Sequence, residues 1–158
     1  TEDFELEMST EEKKQRGQEE EHMKILCNKI KDILGDKVDK VVVSKLKLHS
    51  LVLDIKKQGK KICGIGAPSR ASTLVNYVGI DDGIMDYVME IKGSHKIGKY
   101  IPGTLIPVVE ESRLYEDQPD YALLLSWHIA DELAPKIKEK GFKGSFIVPL
   151  PEPRVIKI

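Results

Sequence analysis

A glycine-rich turn followed by hydroxyl and basic side chains is the stretch of this sequence best suited to chemistry. Residues 60–77 read KKICGIGAPSRASTLVNY. Gly64 and Gly66 allow the backbone to approach a ligand closely, and a helix predicted from Arg70 offers unpaired N–H groups and the positive end of its dipole. A strand, a glycine turn and a helix start together favour phosphate binding. The pattern is weak by itself, because Ser69 stands at the third glycine position of G-x-G-x-x-G. A tight turn with no ligand is the alternative.

Alternating strand and helix signals follow this turn and predict the elements that position it. Short apolar runs predict strands at 61–64, 85–89, 121–125 and 145–148, with helices at 70–78 and 131–140. This alternation is typical of a parallel sheet with right-handed crossovers. We therefore expect an α/β fold, a Rossmann-like parallel sheet with flanking helices, whose ligands bind beyond the carboxyl ends of the strands.

Two N-terminal helices are predicted before the first strand. The first begins at Ser9, which has Glu12 three residues later in a capping-box arrangement, and ends at Gly35. The second runs from about Asp39 to Gln58. We expect residues 1–59 to form a helical N-terminal extension that packs on the domain.

Candidate ligand residues also follow the second and third predicted strands. Glu90 comes at about the spacing where dinucleotide folds place an acid that accepts ribose hydroxyls. A surface carboxylate at a strand end is the alternative. Trp127 suits stacking on a base or covering a sugar, with core packing as its alternative, and His128 is either a ligand residue or an ordinary residue at a helix start.

The segment 91–104, IKGSHKIGKYIPGT, is long for a connection. It combines glycines, three lysines, a histidine and a tyrosine, a composition that favours a binding role. Pro102 and Gly103 predict a type II turn that presents Tyr100 and Thr104 at a fixed angle.

Composition argues against several classes of function. The 158 residues carry a formal net charge of -1, which argues against a nucleic-acid or membrane-surface protein. No apolar run approaches the roughly 20 residues of a membrane span, and no signal-peptide pattern opens the chain, so we expect a cytoplasmic location. Cys27 and Cys63 are expected to be small core residues, without a disulfide framework or a zinc site. The charged opening at Thr1 predicts a fragment of a longer protein.

Three stretches in register resemble one enzyme family. Residues 64–77 (GIGAPSRASTLVNY), 96–107 (KIGKYIPGTLIP) and 119–128 (PDYALLLSWH) are similar to the C-terminal domain of the S-adenosylmethionine-dependent sugar C-methyltransferases. The patterns of that family read roughly G-A-x-x-K-G-x-T-L-L-N-Y, K-x-G-x-Y-x-P-G-T-x-I-P and P-D-Y-x-x-x-x-x-W-N. The likeness is strong over residues 60–158 and looser before them. Arg70 and Ala71 replace the family's Lys-Gly, and Glu90 and His128 replace an Asp and an Asn.

The resemblance implies a parent enzyme of three parts. These are an N-terminal zinc module, a central domain that binds S-adenosylmethionine, and this C-terminal domain, which helps to hold a nucleotide-diphosphate sugar that we expect to be thymidine-linked. In the parent, a base removes the proton alpha to a sugar ketone and the carbanion attacks the sulfonium methyl. Residues 60–158 are then a Rossmann-like nucleotide-sugar-binding domain that contributes by positioning. The resemblance assigns no catalytic residue, metal ligand or S-adenosylmethionine site to this chain.

The same resemblance implies a set of substrate-binding residues. Phosphate is expected over the amides of residues 67–70, with Arg70 as a charged clamp and Ser69 and Thr73 as hydroxyl donors. Lys96 and Tyr100 are expected to close over the same group. The expected substrate-binding residues are Gly64, Gly66, Ala67, Pro68, Ser69, Arg70, Thr73, Asn76, Glu90, Lys96, Tyr100, Gly103, Thr104, Trp127 and His128.

Two functions of other classes remain open. A nicotinamide- or coenzyme A-binding domain of an oxidoreductase or ligase fits Gly64, Gly66 and Glu90, but it explains neither Ser69 nor the segment 91–104. A non-catalytic interaction module would form a homodimer through the apolar stripe from Met23 to Leu34 on the first helix.

Overall fold

The computed structural model of this chain describes residues 10–34 and 36–157. The chain divides into two compact units, one that ends at Val43 and one that begins at Ser44. The predicted helix start at Ser9 and helix stop at Gly35 lie outside the described residues.

Two helices precede the sheet, as the sequence predicts. Helix α1 spans Thr10–Leu34 and α2 spans Asp36–Lys57, so α2 begins earlier than expected and Asp39 lies inside it. Apolar side chains of α1 are exposed, among them Ile33 with 78% of its surface accessible. A homodimer through this stripe stays a prediction, as does the packing of residues 1–59 on the domain.

A six-stranded sheet forms the centre of the second unit. Its strands are β1 Ile62–Ile65, β2 Val88–Glu90, β3 Val108–Glu110, β4 Tyr121–Leu124, β5 Ser145–Val148 and β6 Arg154–Ile156. Their order across the sheet is β3-β2-β1-β4-β5-β6. Strands β1 to β5 are parallel, and β6 pairs antiparallel with β5. The predicted α/β fold with a Rossmann-like sheet is confirmed, while the short strands β3 and β6 were not expected.

Helices cover both faces of this sheet. The further helices are α3 Ser69–Val78, α4 Ser112–Asp117 and α5 Ala130–Glu139, with a 3₁₀ turn at Trp127–Ile129. Alternate residues of β4 face opposite layers: Leu123 packs in the cluster that contains Leu48 of α2 and Leu74 of α3, and Leu124 packs with Ile137 of α5. This burial on both faces explains why the strands read as continuous apolar runs.

The order of the strands changes direction between β1 and β4. Strands β2 and β3 follow β1 to one side, and the chain then returns to lay β4 on the other side. The N–H of Leu125 donates to the carbonyl of Ile65 at 3.1 Å, so the segments that follow the two strands begin as neighbours. Ligands of parallel α/β sheets bind at such a switch point.

Candidate functional site

Glycine is required at positions 64 and 66 for different structural reasons. Gly66 has a φ of +80°, and a Cβ at this position would lie 2.8 Å from Oγ of Ser126. Gly64 lies within β1, where a Cβ would lie 2.8 Å from Cγ2 of Val88. The positive φ of Gly66 lets the chain turn from β1 toward α3, whereas Gly64 leaves room for core side chains.

The turn leads into a helix start with no side-chain cap. Pro68 holds the N-cap position in an extended conformation, with a ψ of 160°. The N–H of Ala71 donates to the carbonyl of Pro68 at 2.8 Å, and Oγ of Ser72 donates to the carbonyl of Ser69 at 3.0 Å. The N–H groups of Ser69 and Arg70, which precede Ala71, and the positive end of the α3 dipole favour an anion at this end of the helix.

The peptide groups on either side of Ala67 are held by two charged side chains. Glu90, the last residue of β2, accepts a hydrogen bond from the Ala67 N–H at 2.7 Å. The ammonium of Lys96 donates to the carbonyl of Ala67. The turn is therefore fastened to β2 on one side and to the segment after β2 on the other.

That segment, residues 91–107, is called here the β2–β3 loop, and its second half is a folded hairpin. Tyr100 and Pro107 form an isolated antiparallel bridge, and the N–H of Ile101 donates to the carbonyl of Ile106 at 2.9 Å. The N–H of Thr104 donates to the carbonyl of Ile101 at 3.0 Å, and Gly103 has a φ of +81°. With a proline before that glycine, these features confirm the predicted type II turn.

One pocket of about 300 Å³ lies between α3 and this hairpin. It is lined by Ala67, Pro68, Ser69, Ser72, Lys96, Lys99, Tyr100, Ile101, Pro102 and Val108. The structure thus brings together five of the expected binding residues: Ala67, Pro68, Ser69, Lys96 and Tyr100. The pocket combines hydroxyl groups from the helix start with two ammonium groups from the loop.

Some lining residues were not expected from the sequence. Ser72 follows Ser69 by three residues and so lies on the same face of the helix. This spacing could have identified Ser72 as a candidate from the sequence. Lys99 repeats Lys96 at the same spacing in a segment already singled out. Val108 begins β3, a strand that sequence patterns missed.

Other expected binding residues lie outside the pocket lining. Arg70 and Thr73 are exposed on α3, and His128 is exposed in the 3₁₀ turn. Trp127 is half-buried and packs against both core clusters. Thr104 uses its hydroxyl within its own turn, donating to the carbonyl of Ile101 at 2.9 Å and accepting from the N–H of Ile106 at 3.1 Å.

The cysteine nearest the turn is not an activated nucleophile. Cys63 is fully buried in β1, and burial, with a smaller effect from the charge of Asp86, raises the pKa of its thiol. A thiol that keeps its proton is a poor nucleophile. Over residues 10–34 and 36–157, no group of three or more His, Cys, Asp or Glu side chains is placed to hold a metal ion.

Comparison with known proteins decides the family. The sequence profile of the C-methyltransferase C-terminal domain matches residues 7–151. The chain belongs to this family. Over 110 residues it is 36% identical to the C-methyltransferase NovU of Streptomyces niveus, an alignment that covers 69% of this chain and 26% of the relative. This C-methyltransferase C-terminal domain thus spans about a quarter of the length of that relative.

Membership confirms the resemblance at the level of a C-methyltransferase C-terminal domain. Within the described part of the chain, no helix is both long and apolar enough to span a membrane. The cytoplasmic location stays a prediction.

Proposed function

We propose that this domain binds the diphosphate part of a nucleotide-diphosphate sugar and holds the sugar for methyl transfer by the rest of its parent methyltransferase. The observation that carries the proposal is the pocket in which Lys96 and Lys99 share one cavity with Ser69 and Ser72. Two ammonium groups, the hydroxyl of Ser69 and the uncapped start of α3 together match the charge and the acceptor oxygens of a diphosphate. The Ser72 hydroxyl already donates to the carbonyl of Ser69.

The size of the pocket agrees with a partial site. Ligand pockets range from roughly 300 to 1,000 Å³, and this one, at about 300 Å³, is at the small end of that range. It has room for a phosphate group and part of a sugar rather than for a whole nucleotide sugar. Tyr100, Ile101 and Pro102 form the less polar part of its wall, which suits contact with a sugar or base.

The same charges argue that the methyl donor binds elsewhere. S-adenosylmethionine carries a sulfonium cation, which two lysine ammonium groups in one pocket would repel. We infer that S-adenosylmethionine, which supplies the methyl group, is bound by a domain of the parent outside this chain. The contribution of this chain is to orient the acceptor, and orientation alone lowers a reaction barrier substantially.

A dinucleotide-binding function is less well supported. In such folds the acid at the end of the second strand accepts ribose hydroxyls. Here one oxygen of the Glu90 carboxylate already accepts the N–H of Ala67. The ribose of a nicotinamide or coenzyme A ligand would have to share this carboxylate with the glycine turn.

Calorimetric titration tests the proposal directly. The chain is titrated with thymidine diphosphate, inorganic pyrophosphate, NAD and S-adenosylmethionine in separate experiments. We expect thymidine diphosphate to bind, pyrophosphate to bind more weakly, and the other two not to bind. Binding of NAD alone would identify an ordinary dinucleotide site, and failure of thymidine diphosphate to bind would contradict a substrate site within this domain.

A further inference from the structure

Asn76 connects the two walls of the pocket without lining it. Its side-chain nitrogen Nδ2 donates to the carbonyl of Ser72 at 2.7 Å and to the carbonyl of Pro102 at 2.8 Å. Ser72 belongs to the α3 wall and Pro102 to the wall formed by the β2–β3 loop. Because an amide NH₂ has two hydrogens, these two bonds use its whole donor capacity.

Gly103, the loop residue beside Asn76, makes room for this contact because it has no side chain. A Cβ at Gly103 would lie 2.5 Å from Oδ1 and 2.9 Å from Nδ2 of Asn76. The positive φ of Gly103, +81°, is also a conformation in which other residues are strained. Glycine at this position therefore lets the turn at Pro102 come close enough to bond with the Asn76 amide.

The turn at Pro102 and Gly103 also determines where the basic residues of the loop lie. The N–H of Ile101 is bonded to Ile106, and the N–H of Val108 donates to the carbonyl of Lys99 at 2.8 Å, so Lys99 and the turn belong to one hydrogen-bonded hairpin. Lys96 precedes this hairpin, and its carbonyl accepts the N–H of Lys99 at 3.1 Å. Fixing the turn on α3 thus fixes Lys99 and Tyr100 over the helix start.

We propose that Asn76 is a positioning residue, which holds the β2–β3 loop on α3 so that Lys96, Lys99 and Tyr100 face the ligand. Substrate contact by Asn76 and Gly103 stays a prediction. The geometry adds a close contact between these two residues. This inference rests on the proposed function, since it concerns the same pocket.

Substitution of Asn76 by alanine tests the inference with two separate readouts. Asn76→Ala removes both hydrogen bonds and leaves the net charge unchanged. We expect faster hydrogen–deuterium exchange at the amides of Ile101 and Thr104, with the amides of β1 and β4 unchanged. We also expect thymidine diphosphate to bind about tenfold more weakly, the effect of losing one or two hydrogen bonds that hold a site together. Asn28→Ala is the matched control, because Asn28 is exposed on α1.

A second variant isolates the contact between the two residues. Gly103→Ala should accelerate loop exchange more in the native background than in the Asn76→Ala background, where the side chain that meets the new methyl group is gone. Additive effects of the two substitutions would contradict the contact.

The outcomes separate this inference from the function on which it rests. If native protein binds thymidine diphosphate and Asn76→Ala binds it equally well, the positioning role is wrong, whatever the loop exchange shows. If loop exchange is unchanged in Asn76→Ala, the anchoring role is wrong. If native protein does not bind thymidine diphosphate, the proposed function fails and a positioning role for Asn76 in ligand binding fails with it, while the exchange measurement still decides whether Asn76 holds the loop.

Discussion

The carboxylate of Glu90, at the end of β2, accepts a hydrogen bond of 2.7 Å from the backbone N–H of Ala67 in the turn after β1. Lys96 donates to the carbonyl of the same residue. An acid at this place in a dinucleotide fold is left free for the ribose, whereas here it holds the turn in place. An incoming phosphate is therefore left with the groups beyond Ala67, where Ser69 and Ser72 line the pocket.

The hydrogen bond between Glu90 and Ala67 should contribute measurably to the free energy of unfolding. A hydrogen bond to a charged group contributes on the order of 1.5 to 3 kcal/mol. We expect Glu90→Ala to lower the free energy of unfolding by about 1 to 2 kcal/mol, at the low end because Glu90 is only half-buried. Glu90→Gln should cost less, since its amide oxygen still accepts the N–H. Unfolding in urea measures both, with Glu116→Ala on the exposed face of α4 as the control. Equal losses in the Ala and Gln variants would show that the acceptor oxygen does not matter.

Two lysines should account for most of the affinity for diphosphate. Lys96→Ala and Lys99→Ala should each weaken thymidine diphosphate binding more than tenfold, since a charge-assisted bond to phosphate contributes on the order of 1.5 to 3 kcal/mol. Lys99→Ala is the cleaner test, because Lys96 also holds the carbonyl of Ala67. Lys136→Ala, on the exposed surface of α5, removes the same charge and should leave the affinity unchanged.

An unchanged affinity in both lysine variants would remove the basis of the diphosphate assignment. The clamp role expected for Arg70 stays a prediction, and Arg70→Ala in the same titration decides it. Lys99 is also exposed but lines the pocket, whereas Arg70 lies outside the lining, so we expect a smaller loss for Arg70→Ala than for either lysine variant.

Local features of the fold were predictable from the sequence because they depend on neighbouring residues. The glycine turn, the following helix and its end at Gly79, which has a φ of +84°, all lie within 64–79. The four strands predicted from apolar runs are present, the last with the predicted bounds, 145–148, and the other three with shifted ends. Strands β3 and β6 have three residues each, too few to show a period, whereas the equally short β2 overlaps the end of a longer stretch, 85–89, that the pattern detects.

The contacts that build the site were not predictable in the same way. The bond from Ala67 to Glu90 joins residues 23 positions apart, and the bond from Asn76 to Pro102 joins residues 26 positions apart. Both depend on where the sheet places the β2–β3 loop. Sequence patterns could name Asn76, Glu90 and Lys96 as candidates, but they could not show that these side chains bond to the protein's own backbone.

The left-handed conformation of Gly66 should make substitution costly. Gly66→Ala places a methyl group 2.8 Å from Oγ of Ser126 and forces alanine to a φ of +80°. The conformation alone costs an L-residue roughly 1 to 2 kcal/mol. Gly93→Ala is the matched control, because Gly93 has a φ of +86° and its new methyl group would meet no atom of the described residues within 4 Å.

The free energy of unfolding of both variants measures the two effects. We expect Gly66→Ala to be less stable than Gly93→Ala, and Ser126→Ala to reduce that difference when it is combined with Gly66→Ala. A Gly93→Ala variant as unstable as Gly66→Ala would show that backbone strain alone decides the cost and that the Ser126 contact is unimportant.

Burial of Cys63 predicts a loss of stability at alkaline pH. Burial raises the pKa of this thiol above its ordinary value of 9.0, and burial, with a smaller effect from Cys63, also raises the pKa of Tyr87 above 10.0. Between the ordinary and the raised pKa, the folded protein keeps a proton that the unfolded chain releases. The contribution of these protonated groups to the free energy of unfolding is therefore fully present below pH 9.0. It falls as the pH rises from there, by at most about 1.4 kcal/mol per pH unit for each group.

Unfolding in urea between pH 7 and pH 11 measures this dependence, and Cys63→Ala identifies its source. In Cys63→Ala we expect the decline in stability to begin near pH 10, where Tyr87 of the unfolded chain releases its proton. The variant is also less stable than native protein at neutral pH, because the substitution leaves a cavity at β1. Cys27→Ala is the matched control and should keep the native profile, because it leaves the Cys63 thiol in place. In native protein a thiol reagent at neutral pH should modify Cys63 only after unfolding. Rapid modification of Cys63 in the folded state would mean that the thiol is open to solvent, and the predicted pH dependence would lose its cause.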